Sequence, residues 1–448
     1  MNPPPAFAGG ECDVAVIGAG CAGLAAATHL RAAGLTTCLL EAAPTPGGRC
    51  QTQISAILHH TPFDAGAQWF HNSEHNPLLA QVQKAGIATT QGPAQGLTKF
   101  LYQSTLAPHH ADLYQVAEAS WIKTLTAKLS GPDISVREAA DSLLAEDPFA
   151  ATVETFEANL IAAAPAGDLS LQDWHTLRLT GTNTTAPLGL GAAVLQTLTL
   201  PAGPVHLNTI VTEIDATTTT HITITTNHGT LRAQSIILTV SIGVLQSESI
   251  KFTPALPQTI LAALNGLRMG QMTKLALPAT GPGRLDCPPG TDVVRRVAPQ
   301  EGTGVFTVMW PSAHAYVTAF TGARLAQTLE STPLAEATQY VRDDLTAIFG
   351  AEAKLLFSNP QALRTRWGQN PFTRGAYAYA RPGHAAARQA LSTPIWDGRL
   401  LIAGEANAPQ NLAGTAAGAY LAGLQAAQEI YLFSKTSAQR LVRKADSV

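Results

Sequence analysis

Three glycines in the run Gly18-Ala19-Gly20-Cys21-Ala22-Gly23, a carboxylate at Glu41 and the triplet Gly47-Gly48-Arg49 have the types and spacing that carry the most specific chemistry in this chain. That chemistry is anion binding by backbone. The first glycine permits a tight turn, the second a close approach of backbone to a pyrophosphate, and the third the seating of a helix on a strand. The first N–H groups of that helix, together with its dipole, favour negative charge. An acid placed as Glu41 is accepts both hydroxyls of a ribose and repels a 2′-phosphate, which argues against NADP. Gly47 and Gly48 allow a second close backbone approach, and Arg49 offers a planar fork of donors to phosphate or to the loop around it. This continuation selects FAD over NAD.

These residues require a strand before them, a helix between them and a second strand ahead of Glu41. Residues 14–17 read as a buried strand, Gly34 as the helix C-terminal cap, and 36–40 as the second strand. The order matters because a chain with 37 glycines produces the bare spacing by chance. Further on, 76–85 and 114–129 show helical periodicity, with Pro148, Pro165 and Gly167 as punctuation. The stretches 206–214, 221–226 and 231–240 read as short strands separated by turns. A helix is expected over 333–349, a buried strand over 400–405 and a helix over 415–430. The fold class expected is α/β: a GR2-type Rossmann FAD-binding domain from residues 1–75, 191–250 and 386–448, and a mixed α/β substrate domain from 76–190 and 251–385.

Composition narrows the partners. Charged residues make up 13% of the 448, and the net charge is −3, so there is no basic face for nucleic acid. Hydrophobic content is 46%, yet no uninterrupted apolar run reaches the roughly 18 residues of a transmembrane helix. The first residues lack a basic stretch followed by an apolar one, so the cytoplasm is the expected location. Five cysteines, odd in number and without a C-x-x-C, read as reduced packing residues. His71-Asn-Ser-Glu74-His75 spells a zinc-peptidase pattern, but Pro77 disfavours the helix it needs, and no metal is expected.

Further motifs follow in order. They are Gly66-Ala67-Gln68-Trp69-Phe70-His71, the run Ile237-Leu-Thr-Val-Ser-Ile-Gly-Val-Leu245 with Ile250-Lys-Phe-Thr-Pro-Ala-Leu-Pro257, and Met269-Gly-Gln-Met-Thr-Lys274. Trp367 with Gly375-Ala376-Tyr377, and Ala403-Gly404-Glu405 with Gly414-Thr-Ala-Ala-Gly-Ala419, close the series. Over essentially its whole length the chain resembles the flavin-containing amine oxidase family of monoamine oxidases, polyamine and spermine oxidases and flavin-dependent lysine demethylases. Its pattern is most similar to the polyamine or spermine oxidases.

The resemblance implies roles. Lys274 would hold a water against flavin N5, Tyr377 and Trp367 would stand as aromatic walls beside the amine, and His71 would take a proton from the incoming ammonium or bind it. Thr415 falls where monoamine oxidases place a second tyrosine, which implies a half-open cage. Ala376 replaces the cysteine that tethers flavin in those enzymes, so FAD would be non-covalent. The cofactor would lie against Gly18, Gly20, Gly23, Glu41, Gly48, Arg49, Gly66, Ala67, Gln68, Trp69, Val211, Trp367, Gly404, Glu405, Thr415 and Ala416. The implied reaction turns a primary or secondary amine, polyamine-like, into an imine while O2 becomes hydrogen peroxide. Alternatives are an L-amino-acid oxidase or flavin desaturase on the same fold, and a flavoprotein that binds without catalysis. Glu74, Asp168 and Asp173 are placed where they could line a tunnel for cationic substrates, but each reads more readily as a surface cap or turn residue and none is singled out for the site, and no arginine stands out as a carboxylate clamp. Oligomeric state is not legible.

Overall fold

The computed structural model describes residues 7–92, 98–102, 105–106, 109–179, 181–298, 301, 303–409 and 412–445. Strand Phe7–Ile17 lies between two parallel neighbours, with Ile17 opposite Leu40 on one side and Leu238 on the other. Its alternate residues serve two cores. Val14 and Val16 face helices Cys21–Ala32, Leu190–Ala202 and Ala416–Ala445, whereas Ala15 and Ile17 pack with Ile214, Ile224 and Ile236 on the far side. Burial on both faces explains why the strand reads as a continuous apolar run without alternation.

This first sheet has eight strands. It runs Lys251–Thr253, Val211–Asp215, Ile222–Thr226, Gly229–Leu238, Phe7–Ile17, Thr37–Leu40, Val205–His206, with Leu400–Ile402 also pairing to Gly229–Leu238. The strand expected over 206–214 is two strands, Val205–His206 at one edge of the sheet and Val211–Asp215 next to the other edge. Between them Asn208 adopts a left-handed φ of 55°, and the N–H groups of Asn208 and Thr209 donate to the carbonyls of Ala43 and Glu41. The chain thus crosses over the end of the Thr37–Leu40 strand beside Glu41, at a turn marked in the sequence only by Asn208.

A second, seven-stranded sheet runs Leu363–Arg364, Met272–Pro278, Tyr316–Gly322, Phe306–Met309, Thr291–Arg295, Thr98–Tyr102, Thr105–Leu106. One face, with Leu275, Leu277, Val317 and Met309, is covered by helices Ala323–Ser331 and Leu334–Phe349. The other face presents Lys274, Phe320, Phe306 and Val308 to a cavity. Helices Pro77–Lys84 and His109–Thr126 form where helical spacing was read, and the last helix continues to Ala445, beyond the expected 430. All five cysteines are free thiols. Among the described residues no helix is long and apolar enough to cross a membrane.

Candidate active site

A cavity of about 1030 Å³ runs from the glycine turn to the second sheet. At its nucleotide end the turn is locked by Thr239, whose hydroxyl lies 2.9 Å from the Ile17 carbonyl and 3.0 Å from that of Gly18. Gly20 opens on the cavity: a Cβ built there meets no atom closer than the Gly47 carbonyl at 4.0 Å. Gly23 does not line the cavity, and a Cβ there would stand 1.8 Å from the Gly18 carbonyl. Its task is to seat the helix on the turn, as the third position of the motif requires. Every other residue singled out from the sequence for catalysis or cofactor contact lines the cavity.

Glu41 is buried at the strand end, with Oε2 accepting the Ala19 N–H at 2.7 Å and Oε1 the Ala43 N–H at 2.8 Å. Burial pushes its carboxyl above the ordinary value and those N–H groups pull it back. Arg49 uses Nη1 to donate to the Ala376 carbonyl and to Glu405 Oε1, both at 2.8 Å. Glu405 in turn accepts the Ala378 N–H, so one ion pair ties the Gly47–Arg49 segment to the strand end at Gly404 and to the Tyr377 loop. Thr415 caps the last helix: its hydroxyl donates to the Leu412 carbonyl at 2.7 Å and accepts the Gly418 N–H at 2.9 Å. Two helix N-termini thus open on the cavity, at Cys21 and at Ala416.

At the other end Lys274 is 3% exposed. Its Nζ donates to the carbonyls of Asp64 and Gly66 at 2.9 and 2.7 Å and to Gln68 Oε1 at 3.0 Å, and stands 4.6 Å from the Phe320 ring centre. Burial pushes the ammonium down to about 7, with the Asp64 carboxylate opposing. All three hydrogen-bond partners are acceptors, so the geometry suits the charged form. Trp367 donates from Nε1 to the Ala65 carbonyl at 3.0 Å, and Tyr377 from its hydroxyl to the Leu160 carbonyl at 2.6 Å. Leu160 ends a π-helical turn, Thr155–Leu160, a widened geometry found often at functional sites. Trp69 stacks on Phe320 at 5.4 Å. His71 is half-buried, its Nδ1 lies 2.8 Å from Asn183 Oδ1, and burial lowers its pKa.

Comparison with known proteins fixes the family. The family model for flavin containing amine oxidoreductases matches residues 21–431. The chain belongs to this family. It is therefore an FAD-dependent amine oxidoreductase, and its nucleotide end fits the cofactor: an open backbone at Gly20, two helix N-termini and the Glu41 carboxylate all meet in the cavity. Probable polyamine oxidase 4 of Arabidopsis thaliana is 29% identical, over 95% of this chain and 88% of its own length. Polyamine oxidase 4 of Oryza sativa subsp. japonica is 29% identical, over 93% and 88%. The lysine-specific histone demethylase 1 homolog 2 of Arabidopsis thaliana is 26% identical over 94% of this chain, which spans 59% of that longer relative. A solved structure of putrescine oxidase bound to putrescine superposes with a TM-score of 0.75 at 19% identity, over 94% of this chain and 99% of that one, and shares its fold.

Glu74, Asp168 and Asp173 do not line the cavity. Asp173 is 1% exposed and forms a bidentate pair with Arg388 while accepting the Ala380 N–H, so it braces the fold. Glu74 is exposed and accepts the Thr182 hydroxyl, and Asp168 is exposed. Sequence reasoning missed Asp64, whose carboxylate accepts N–H groups of Leu190 and Gly191 while its carbonyl holds Lys274. It also missed Asp292, which lines the cavity.

Proposed function

We propose that this flavoenzyme oxidises a primary or secondary amine, polyamine-like, to an imine while O2 is reduced to H2O2, and that water then hydrolyses the imine. Bound FAD supplies the acceptor for the two electrons of the C–H bond beside nitrogen. The observation that carries the reading is the continuity of one cavity from the glycine turn to Lys274, Trp367 and Tyr377. Tyr377 and Trp367, each pinned by a backbone carbonyl, give the substrate two fixed aromatic walls, and Phe306, Phe320 and Leu160 keep water away. Thr415, engaged in capping, leaves the aromatic enclosure half open.

His71 supports proton removal. With Nδ1–H assigned as donor to Asn183, Nε2 keeps its lone pair, and a lowered pKa keeps the ring neutral at neutral pH. An incoming ammonium can pass its proton there and present the neutral amine that oxidation needs. Lys274 already spends three N–H bonds on protein acceptors, so holding a water requires one acceptor to yield; the Gln68 side chain is the one free to turn. Ala376 offers no thiol, and FAD is held without a covalent bond. The test is an anaerobic panel of monoamines, diamines, triamines and amino acids, followed by flavin absorbance, with peroxide measured in air. Bleaching by amino acids alone would overturn the reading in favour of an amino-acid oxidase.

A further inference from the structure

We propose that Asp292 binds a second ammonium group of the substrate and so makes the enzyme selective for linear polycationic amines over monoamines. The proposal rests on the amine-oxidising function proposed above. Asp292 lies on strand Thr291–Arg295 opposite Val308, on the sheet face that also carries Phe306 and Phe320, and it lines the same cavity as Lys274. Among the described residues no donor hydrogen-bonds to its carboxylate and no cation pairs with it. Other acids buried in this half of the molecule are provided for: Asp344 by Arg295, Glu154 by Arg137, Glu157 by Arg178 and Asp173 by Arg388.

Burial pushes the Asp292 carboxyl up to about 7 with nothing opposing. A carboxylate in an apolar wall is costly unless a cation meets it, and here the cation that can reach it arrives with the substrate. The sheet register places it usefully. The row Lys274, Phe320, Phe306 crosses the sheet, and Asp292 stands on the next strand, opposite Val308, which lies two residues along from Phe306. Ordinary strand spacings put its Cα about 16 Å from that of Lys274. Such a separation suits a chain carrying three or four nitrogens better than a short diamine.

The test compares wild type with Asp292→Asn, isosteric and uncharged, using a linear triamine and a monoamine of equal chain length. Apparent Kd is read from anaerobic flavin bleaching and from calorimetric titration. The expected result is a rise of about 10- to 100-fold for the triamine, the range of a charge-assisted hydrogen bond, with monoamine binding unchanged or tighter. Thermal melting of the variant should equal or exceed that of wild type, because the lost carboxylate has no partner among the described residues. Equal loss for both amines, no change for the triamine, or a variant that melts much earlier or fails to fold would each overturn the proposal. Wild type that is bleached by triamines while Asp292→Asn behaves identically refutes the role of Asp292 alone. Wild type bleached by no amine refutes the underlying function, and this proposal with it.

Discussion

Replacing Gly20 with alanine separates cofactor holding from folding. Gly20 caps helix Cys21–Ala32 at φ −77° and ψ −175°, extended backbone that any residue adopts, and its Cβ would come no closer than 4.0 Å to protein. Alanine is a poorer N-cap than glycine by up to about 1 kcal/mol. Against that, a less flexible unfolded chain returns about 0.4–1 kcal/mol. Apoprotein stability should therefore fall by no more than about 0.6 kcal/mol and can rise by as much as about 1 kcal/mol. The methyl group nevertheless enters the space that a pyrophosphate approaching Gly20 needs. Forcing an added methyl against a packed neighbour costs about 1–3 kcal/mol, which corresponds to a 5- to 150-fold weaker FAD complex. Gly23→Ala is the control, because its Cβ at 1.8 Å from the Gly18 carbonyl forces helix and turn apart by more than 1 Å even without cofactor. The assays are denaturant unfolding of the apoproteins and titration of each with FAD followed by quenching of flavin fluorescence. Gly20→Ala that binds FAD within twofold of wild type, or that destabilises apoprotein as much as Gly23→Ala, would refute the reasoning.

Three further outcomes are expected. Lys274→Met should slow flavin reduction or its reoxidation by O2, and the bend near pH 7 that titration of Lys274 gives the wild-type profile should be missing from the variant; unaltered rates in both half-reactions would remove Lys274 from the chemistry. The sign for stability follows from the same shift: burial of the ammonium beside Asp64 costs stability below about 7, and the cost fades as pH rises from there toward the ordinary lysine range. Asp173→Asn should destabilise the protein by about 3–5 kcal/mol, since it leaves Arg388 buried without its partner, yet leave the ratio of triamine to monoamine turnover unchanged in the folded fraction. Acid precipitation should release the flavin into a yellow supernatant, whereas flavin retained on the pellet would mean a covalent bond that Ala376 cannot make.

The nucleotide end was legible in the sequence because backbone geometry constrains it directly. Gly18, Gly20, Gly23 and Glu41 act over short spans, between strands that neighbour one another, and their spacing within the order strand, turn, helix, strand sets where the N–H groups and the acid sit. Lys274 and Tyr377 were found through resemblance; nothing in their local pattern distinguishes them from other residues of a strand or loop. Long-range pairing was not legible. Arg49 meets Glu405 356 residues away and Asp173 meets Arg388 215 residues away, and no periodicity encodes either partner. The same limit hid Asp292, which nothing in its local pattern singles out until the sheet register puts it on the face of Phe306 and Phe320. The break at Asn208 escaped notice because the flanking β-branched residues suit a single strand.

The central claim is that this cavity oxidises polycationic amines with FAD. Its most direct test is stopped-flow anaerobic mixing of the holoenzyme with a linear triamine, and separately with a monoamine of the same length, followed by flavin absorbance. The account predicts complete bleaching by the triamine at concentrations where the monoamine leaves the flavin oxidised. A flavin that the monoamine reduces as readily, or that neither amine reduces, would contradict it.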